Sequence, residues 1–225
     1  MRRSVTVVRR FFRNHGLSVV MLGLFFFAFI FGQVASGRSQ YNEERQKRGQ
    51  AVLDVADYLR SAHFGEATAE NWESEFLQMF VFVVATAFLY QKGSAESKDP
   101  RKKHLRKKAK PVTPDSPWAV RRGGWVLRIY EHSLSAALFL LFLIGFVWHI
   151  YAGHLLNNEE RLADGESPTA WYDYVTSSRF WFESFQNWQS EFLAIGAMVL
   201  LSIWLREANS PESKDVATPH AENED

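Results

Sequence analysis

Residues 71–80 read NWESEFLQMF, and residues 187–196 read NWQSEFLAIG. The core pattern N-W-x-S-E-F-L agrees at six of its seven positions, and each copy puts a carboxylate, Glu75 or Glu191, at the mouth of an apolar run. The flanking residues repeat as well. His15-Gly-Leu17-Ser18 matches His132-Ser-Leu134-Ser135 at an offset of 117, and Asn42-Glu43-Glu44-Arg45 matches Asn158-Glu159-Glu160-Arg161 at 116. Gly49 and Gly165, Asp57-Tyr58 and Asp173-Tyr174, Ser61 and Ser177, and Phe64 and Phe180 keep the offset of 116. So do Ser94-Ala-Glu96-Ser97-Lys98-Asp99 and Ser210-Pro-Glu212-Ser213-Lys214-Asp215. One deletion accounts for the change of offset, and a register held this long marks an internal repeat.

Four apolar segments follow the same division. No charged residue occurs between Arg13 and Arg38, and the core of that window is Leu17–Ala35. Nineteen residues at 1.5 Å each reach about 28 Å, close to the hydrocarbon thickness of a bilayer. Leu134–Ala152 is its counterpart. The other two runs, Phe76–Gln91 and Phe192–Leu205, are shorter. They reach full span length when the polar turn before each is included. The expected fold is therefore an all-α membrane protein with four transmembrane helices. These form two tandem, parallel-repeat helical hairpins, with short amphipathic segments in the outer loops at 52–64 and 171–188. The expected organisation is a first repeat at 1–100 with helices at about 17–35 and 72–91, and a basic linker at 101–125. A second repeat follows at 126–215 with helices at about 134–152 and 188–205, and then a disordered acidic tail at 216–225. The N-terminus has a basic front and V-A-S-G at 34–37, as a signal peptide would, but the long apolar stretch and its internal counterpart favour retention.

Lysine and arginine are distributed unevenly. The N-terminus has 5, the first loop 5, the segment 91–131 has 12, the second loop 2 and the C-terminal tail 2. The positive-inside rule puts both termini and the linker in the cytoplasm and both long loops outside. Seven of the basic residues lie in RKKHLRKKAK: Arg101, Lys102, Lys103, Arg106, Lys107, Lys108 and Lys110. Such a run sets topology and also attracts anionic lipid. Nucleic acid is not expected as a partner, because no folded module surrounds the run.

The repeated phrase itself reads as a helix start at a membrane surface. Asn71 and Asn187 suit an N-cap. Trp72 and Trp188 then sit at headgroup depth as interface anchors. Ser74 and Ser190 satisfy first-turn groups, and Glu75 and Glu191 gain from the helix dipole. The competing functional reading makes Asn71, Ser74, Glu75, Asn187, Ser190 and Glu191 a polar site, with the two glutamates as an inward-facing pair. Its expected partners are His149, His154, Arg45 or Arg161. No metal site is expected, because the His and carboxylate spacing matches no recognised ligand pattern.

Composition narrows the function classes only modestly. The 225 residues carry net charge +1, and a mean hydropathy of −0.21 averages apolar spans with polar loops. Nineteen Phe and eight Trp fit a membrane interface. With no cysteine, disulfides and thiol chemistry are excluded. No cofactor fingerprint and no nucleophile motif occurs, so nothing points to an enzyme. The functions left are a non-catalytic interaction or scaffold protein, alone as a homo-oligomer or with a membrane partner, or else a small transporter or channel with an outward-facing vestibule at Glu75 and Glu191. A membrane enzyme is a distant third.

The N-E-E-R phrase, Ser61-Ala62-His63-Phe64, N-W-E-S-E-F-L-Q-M and Q-K-G-S-A-E-S-K-D-P at 91–100 resemble a family of bacterial integral membrane proteins of unknown function. The resemblance covers nearly the whole chain and implies a bacterial inner-membrane setting without a mechanism. The second repeat departs from the pattern at Gln189, opposite Glu73, and at Ala194, opposite Gln78. A role requiring Glu73 or Gln78 in both halves is therefore not expected.

Overall fold

The computed structural model describes residues 2–98 and 111–223. Among these residues the regular structure is helical and no strand occurs. The order is α1 (Arg2–Phe27), a π-helical segment (Ala28–Ser36), α2 (Gly37–Lys47), α3 (Val55–Tyr58), α4 (Ala62–Phe88), α5 (Trp118–Arg122), α6 (Gly124–Glu131), α7 (Ser133–Ala163), α8 (Trp171–Val175) and α9 (Ser178–Leu201). Two stretches, Arg9–Lys47 and Ser133–Ala163, are long and apolar enough to cross a membrane. α4 and α9 have 27 and 24 residues, about 40 and 36 Å. They fail the same test on composition, because α4 carries Glu66, Glu70, Glu73 and Glu75, and α9 carries Arg179, Glu183 and Glu191, among other polar residues. Length and composition thus support two spans rather than the expected four.

Several boundaries differ from expectation for one reason: the polar residues before each apolar run are helical. Ser61 and Ser177, not Asn71 and Asn187, start α4 and α9. Their hydroxyls accept the amide protons of Phe64 at 3.2 Å and Phe180 at 3.3 Å, as an N-cap does. Asn71 and Asn187 consequently lie well inside their helices, and Trp72 and Trp188 do not occupy first helical positions. The outer loops do not hold separate amphipathic segments over their expected lengths. α3 and α8 are single short turns, and residues 62–64 and 178–188 belong to the long helices. The N-E-E-R phrases are helical too, ending α2 and α7. α5 and α6 were not foreseen.

The chain packs as two compact units, Met1–Thr68 with His149–Tyr174, and Ala69–Trp148 with Val175–Asp225. Each unit draws on both halves of the sequence, so the units cut across the repeats.

In the first unit the repeat is reproduced bond by bond. The Asn42 side chain accepts from the Leu53 amide at 2.8 Å and donates to its carbonyl at 2.9 Å. Asn158 does the same with Thr169 at 2.8 and 3.1 Å. Arg45 donates to the Ala51 carbonyl and Arg161 to the Ser167 carbonyl, both at 2.8 Å. Gly49 and Gly165 turn the chain at φ 70° and 77°, the left-handed region where glycine carries no Cβ penalty. The N-E-E-R phrase is therefore a clasp that folds each loop back onto its helix. Its arginines bind loop carbonyls rather than the glutamates expected as partners. Tyr41, Tyr58, Ala62, Phe64 and Leu156 form the buried core of this unit.

Tyr58 is fully buried. Burial, with the neighbouring Tyr41 adding to it, pushes its phenol up to about 12 from the usual 10. A folded-state value above the unfolded one means that stability is fully present below pH 10 and lost as pH rises towards 12. Alkaline unfolding followed by circular dichroism is expected to steepen in that window for the wild type, with a shallower loss for Tyr58→Phe. Identical pH profiles would refute the assignment.

In the second unit α7 runs close against α4 at Gly145, where a Cβ would lie 3.0 Å from the Glu73 amide nitrogen. Phe80 packs on Phe139 and Phe146 on Phe180, with ring centroids 5.0 and 5.8 Å apart. The E-S-K-D phrases build the same turn twice. Ser97 and Ser213 accept from the amides of Gln91 at 2.8 Å and Glu207 at 2.9 Å. Ser94 and Ser210 accept from Glu96 and Glu212, each at 3.2 Å. Where a disordered acidic tail was expected from 216 on, the chain turns back as far as Asn223. The buried Lys214 ammonium donates to the carbonyls of Pro219, His220 and Glu222 at 3.3, 3.1 and 2.9 Å.

Candidate functional site

The acidic residues of α4 define the candidate site. Glu66, Glu70 and Glu73 follow one another at four- and three-residue spacing, so they line one face of the helix. Glu66 is 8% exposed and Glu73 is fully buried. Buried carboxylates are costly unless hydrogen-bonded or paired, and these are. The Trp188 indole donates to Glu73 Oε1 at 3.0 Å, and the Asn187 amide donates to Glu70 Oε1 at 2.5 Å. The second copy of the repeated phrase thus supplies the donors for carboxylates carried by α4. In the first unit, a Glu66 carboxylate oxygen and a ring nitrogen of the buried His149 lie within 4.8 Å of each other. A carboxylate and an imidazole so placed suit a shared proton or a shared metal ion. Spacing along the sequence gave no hint of this, because the histidine comes from another helix.

The residues singled out by sequence fall into three groups. Ser74 and Ser190 turn back on their own helices, donating to the carbonyls of Asn71 at 2.9 Å and Asn187 at 2.8 Å. They cap nothing, although Ser74 is buried. Asn187 and Trp188 are site residues as donors to glutamates, and Asn187 is not a cap. Asn71 and Trp72 are exposed. Glu75 is also exposed and Glu191 half-buried. They are close enough for the charge of Glu191 to act on Glu75, as the paired reading requires. The hydrogen bonds expected for their carboxylates go instead to Glu70 and Glu73; the contact of Gln78 in this region, at 3.5 Å, is to the main-chain carbonyl of Glu191. His154 bonds to the Thr169 carbonyl at 2.8 Å, inside the clasp. The basic residues of 101–110 lie outside the described residues.

Sequence reasoning favoured Glu75 because it repeats and set Glu73 aside because it does not. The structure buries the one that does not repeat. Asymmetry was in fact the signal: Gln189 stands opposite Glu73, and at neither repeat offset does an ionisable residue stand opposite His149, the candidates being Gly32 and Gln33. Gln33 donates to the Thr68 hydroxyl at 3.2 Å, an ordinary neutral bond.

The helices, the repeat and the buried acidic row define a helical protein with two segments long and apolar enough to cross a bilayer. The chain belongs to a family described as a domain of unknown function (DUF6766), whose match covers residues 8–225. No curated protein matches the chain. No solved structure matches it either.

Proposed function

We propose that this chain is a multi-pass protein of a bacterial inner membrane that works by interaction rather than catalysis. In this reading α4 and α9 cross the bilayer as well, giving four spans in two tandem hairpins with both termini in the cytoplasm. The basic linker rests on anionic lipid. The distribution of lysine and arginine supports that orientation, and the duplicated sequence supports equivalent paths for the two hairpins. The observation that carries the functional reading is Glu75, exposed on a long helix with Glu191 beside it. An ionisable group in such a segment needs water or a protein partner, and Glu75 is exposed, so a second copy or another membrane protein can meet it. The row of Glu66, Glu70 and Glu73 favours a second reading, a proton or cation pathway, since carboxylate chains of this kind serve as relays.

One pair of experiments separates them. A photoreactive phenylalanine in place of Glu75 is expected to yield a discrete protein adduct in cells, lost in a Glu191→Gln background and absent when the probe replaces the exposed Phe88. Proteoliposomes of the wild type are expected to carry no proton or cation current. A current abolished by Glu73→Gln would establish the pathway instead, and the absence of any adduct at position 75 would remove the interaction reading.

A further inference from the structure

Between the second half of α4 and α9 lies a cavity of about 330 Å³, within the range of small-molecule sites. Its walls are apolar, built by Val81, Phe82 and Ala85 from α4 and Phe192, Ile195 and Val199 from α9. It runs along the second half of α4 from Gln78 to Leu89, just past the helix end, about 17 Å, slightly more than half the thickness of a hydrocarbon core. Its far end is polar, lined by Tyr90, Gln91, Glu96 and Ser97. Asn223 holds that end in shape by donating to the carbonyls of Gln91, Ser94 and Ser97 at 2.9, 2.8 and 2.7 Å. Glu96 and Glu212, the matching glutamates of the two E-S-K-D turns, are close enough for the charge of one to act on the other. Burial first, and the charge of Glu212 second, push the Glu96 carboxyl up to about 7. The Glu96 Oε1 atom is buried and makes no hydrogen bond among the described residues. The cavity is thus an apolar trough about one leaflet long, ended by Glu96 with an acceptor to spare and with Glu212 near it.

We propose that this trough holds one acyl chain of a membrane lipid whose headgroup ends in a primary ammonium, with that ammonium on Glu96 and Glu212. The length and the walls suit a hydrocarbon tail. The acidic pair selects a cation, and a charge-assisted N–H bond to Oε1 satisfies the spare acceptor. A glycerol headgroup brings no cation to the pair, and a choline headgroup has no N–H to give. The inference rests on the membrane reading above and adds a ligand class to it.

The test uses the full-length protein purified in mild detergent after exposure to equal parts of dioleoyl phosphatidylethanolamine, phosphatidylglycerol and phosphatidylcholine. Retained lipid is counted by mass spectrometry of the intact protein. One phosphatidylethanolamine per chain is expected, preferred about tenfold over the other two, the worth of one strong polar contact. Glu96→Gln, which keeps the shape, is expected to reduce that preference to near parity. Ala85→Phe, which fills the trough, is expected to abolish retention of any lipid, with thermal denaturation checking that it folds. If it does not fold, Glu96→Gln carries the decision. Equal retention of all three lipids by the wild type, or an unchanged preference in Glu96→Gln, overturns the proposal. A chain recovered in the soluble fraction without detergent would overturn the membrane reading itself, an outcome distinct from an integral protein with no lipid preference.

Discussion

Asn223→Ala is expected to lower the thermal midpoint of the detergent-solubilised protein by on the order of 10 °C, corresponding to about 3 kcal/mol for a chain of this size. The residue lies near the end of the sequence, where a substitution would ordinarily be neutral. Its amide, however, accepts from the Gly93 amide at 2.7 Å and the Tyr90 hydroxyl at 3.1 Å. It also donates to three carbonyls of residues 91–97. Ser94 is fully buried and Ser97 6% exposed, so water does not replace the lost partner readily. Each buried group left unpaired costs about 1–3 kcal/mol, and the costs overlap because they share one turn. Asn223→Asp should be nearly as damaging, since it puts an acceptor against three carbonyls. Truncation after Asp215 should cost more than the alanine variant, because it also removes the three carbonyls that hold the buried Lys214 ammonium. A midpoint within about 1 °C of wild type for Asn223→Ala would mean that the tail does not hold the E-S-K-D turn.

The second large effect concerns two equivalent glycines and separates them. At Gly37 and at Gly153 an added methyl would overlap the hydroxyl of Tyr58 or Tyr174, and both phenols are buried, so neither ring can retreat. Gly37→Ala and Gly153→Ala should each cost about 1–3 kcal/mol by overpacking. Removing the hydroxyl should rescue only the first. Without it, the nearest ring carbon to a Cβ at position 37 is Tyr58 Cζ at 3.5 Å, an ordinary contact. At position 153 Tyr174 Cζ would still lie at 2.9 Å. A double-mutant cycle of Gly37→Ala with Tyr58→Phe should therefore show a strong favourable coupling, and the cycle of Gly153→Ala with Tyr174→Phe a weak one. Equal couplings in the two cycles would contradict the packing described here.

The repeat and the apolar cores of the long helices were legible in the sequence, because periodic hydrophobicity and fixed offsets survive without tertiary information. The helix starts were not. Asn71 and Asn187 looked like caps because they precede apolar runs, yet Ser61 and Ser177 carry the cap bonds, and the polar stretch between is helical because it is buried on one face. The pair Ser61 and Ser177 was already visible as matched positions, and weighing it as a cap would have moved both starts correctly. Which glutamate is buried was less accessible. It depends on which face of α4 meets Trp188, a fact of packing rather than of spacing. The tail was misjudged on composition, since AENED at 221–225 reads as solvated although Asn223 is bound on every side.

The π-helical segment at Ala28–Ser36 explains how two halves of unequal length keep identical clasps. The repeat offset is 117 at Ser18 and 116 at Gly37, so the first half holds one more residue than the second between those points, and the widened turns fall inside that interval. An α-helix that takes up an extra residue either rotates everything beyond it by about 100°, or swells locally from i→i+4 to i→i+5 bonding and leaves the phase intact. Here it swells, and Gly37, Asn42 and Arg45 meet their loop as Gly153, Asn158 and Arg161 meet theirs. The duplicated gene has thus tolerated a change in length where the backbone could bulge. The same stretch is where a designer could add or remove a single residue without re-aiming the clasp beyond it.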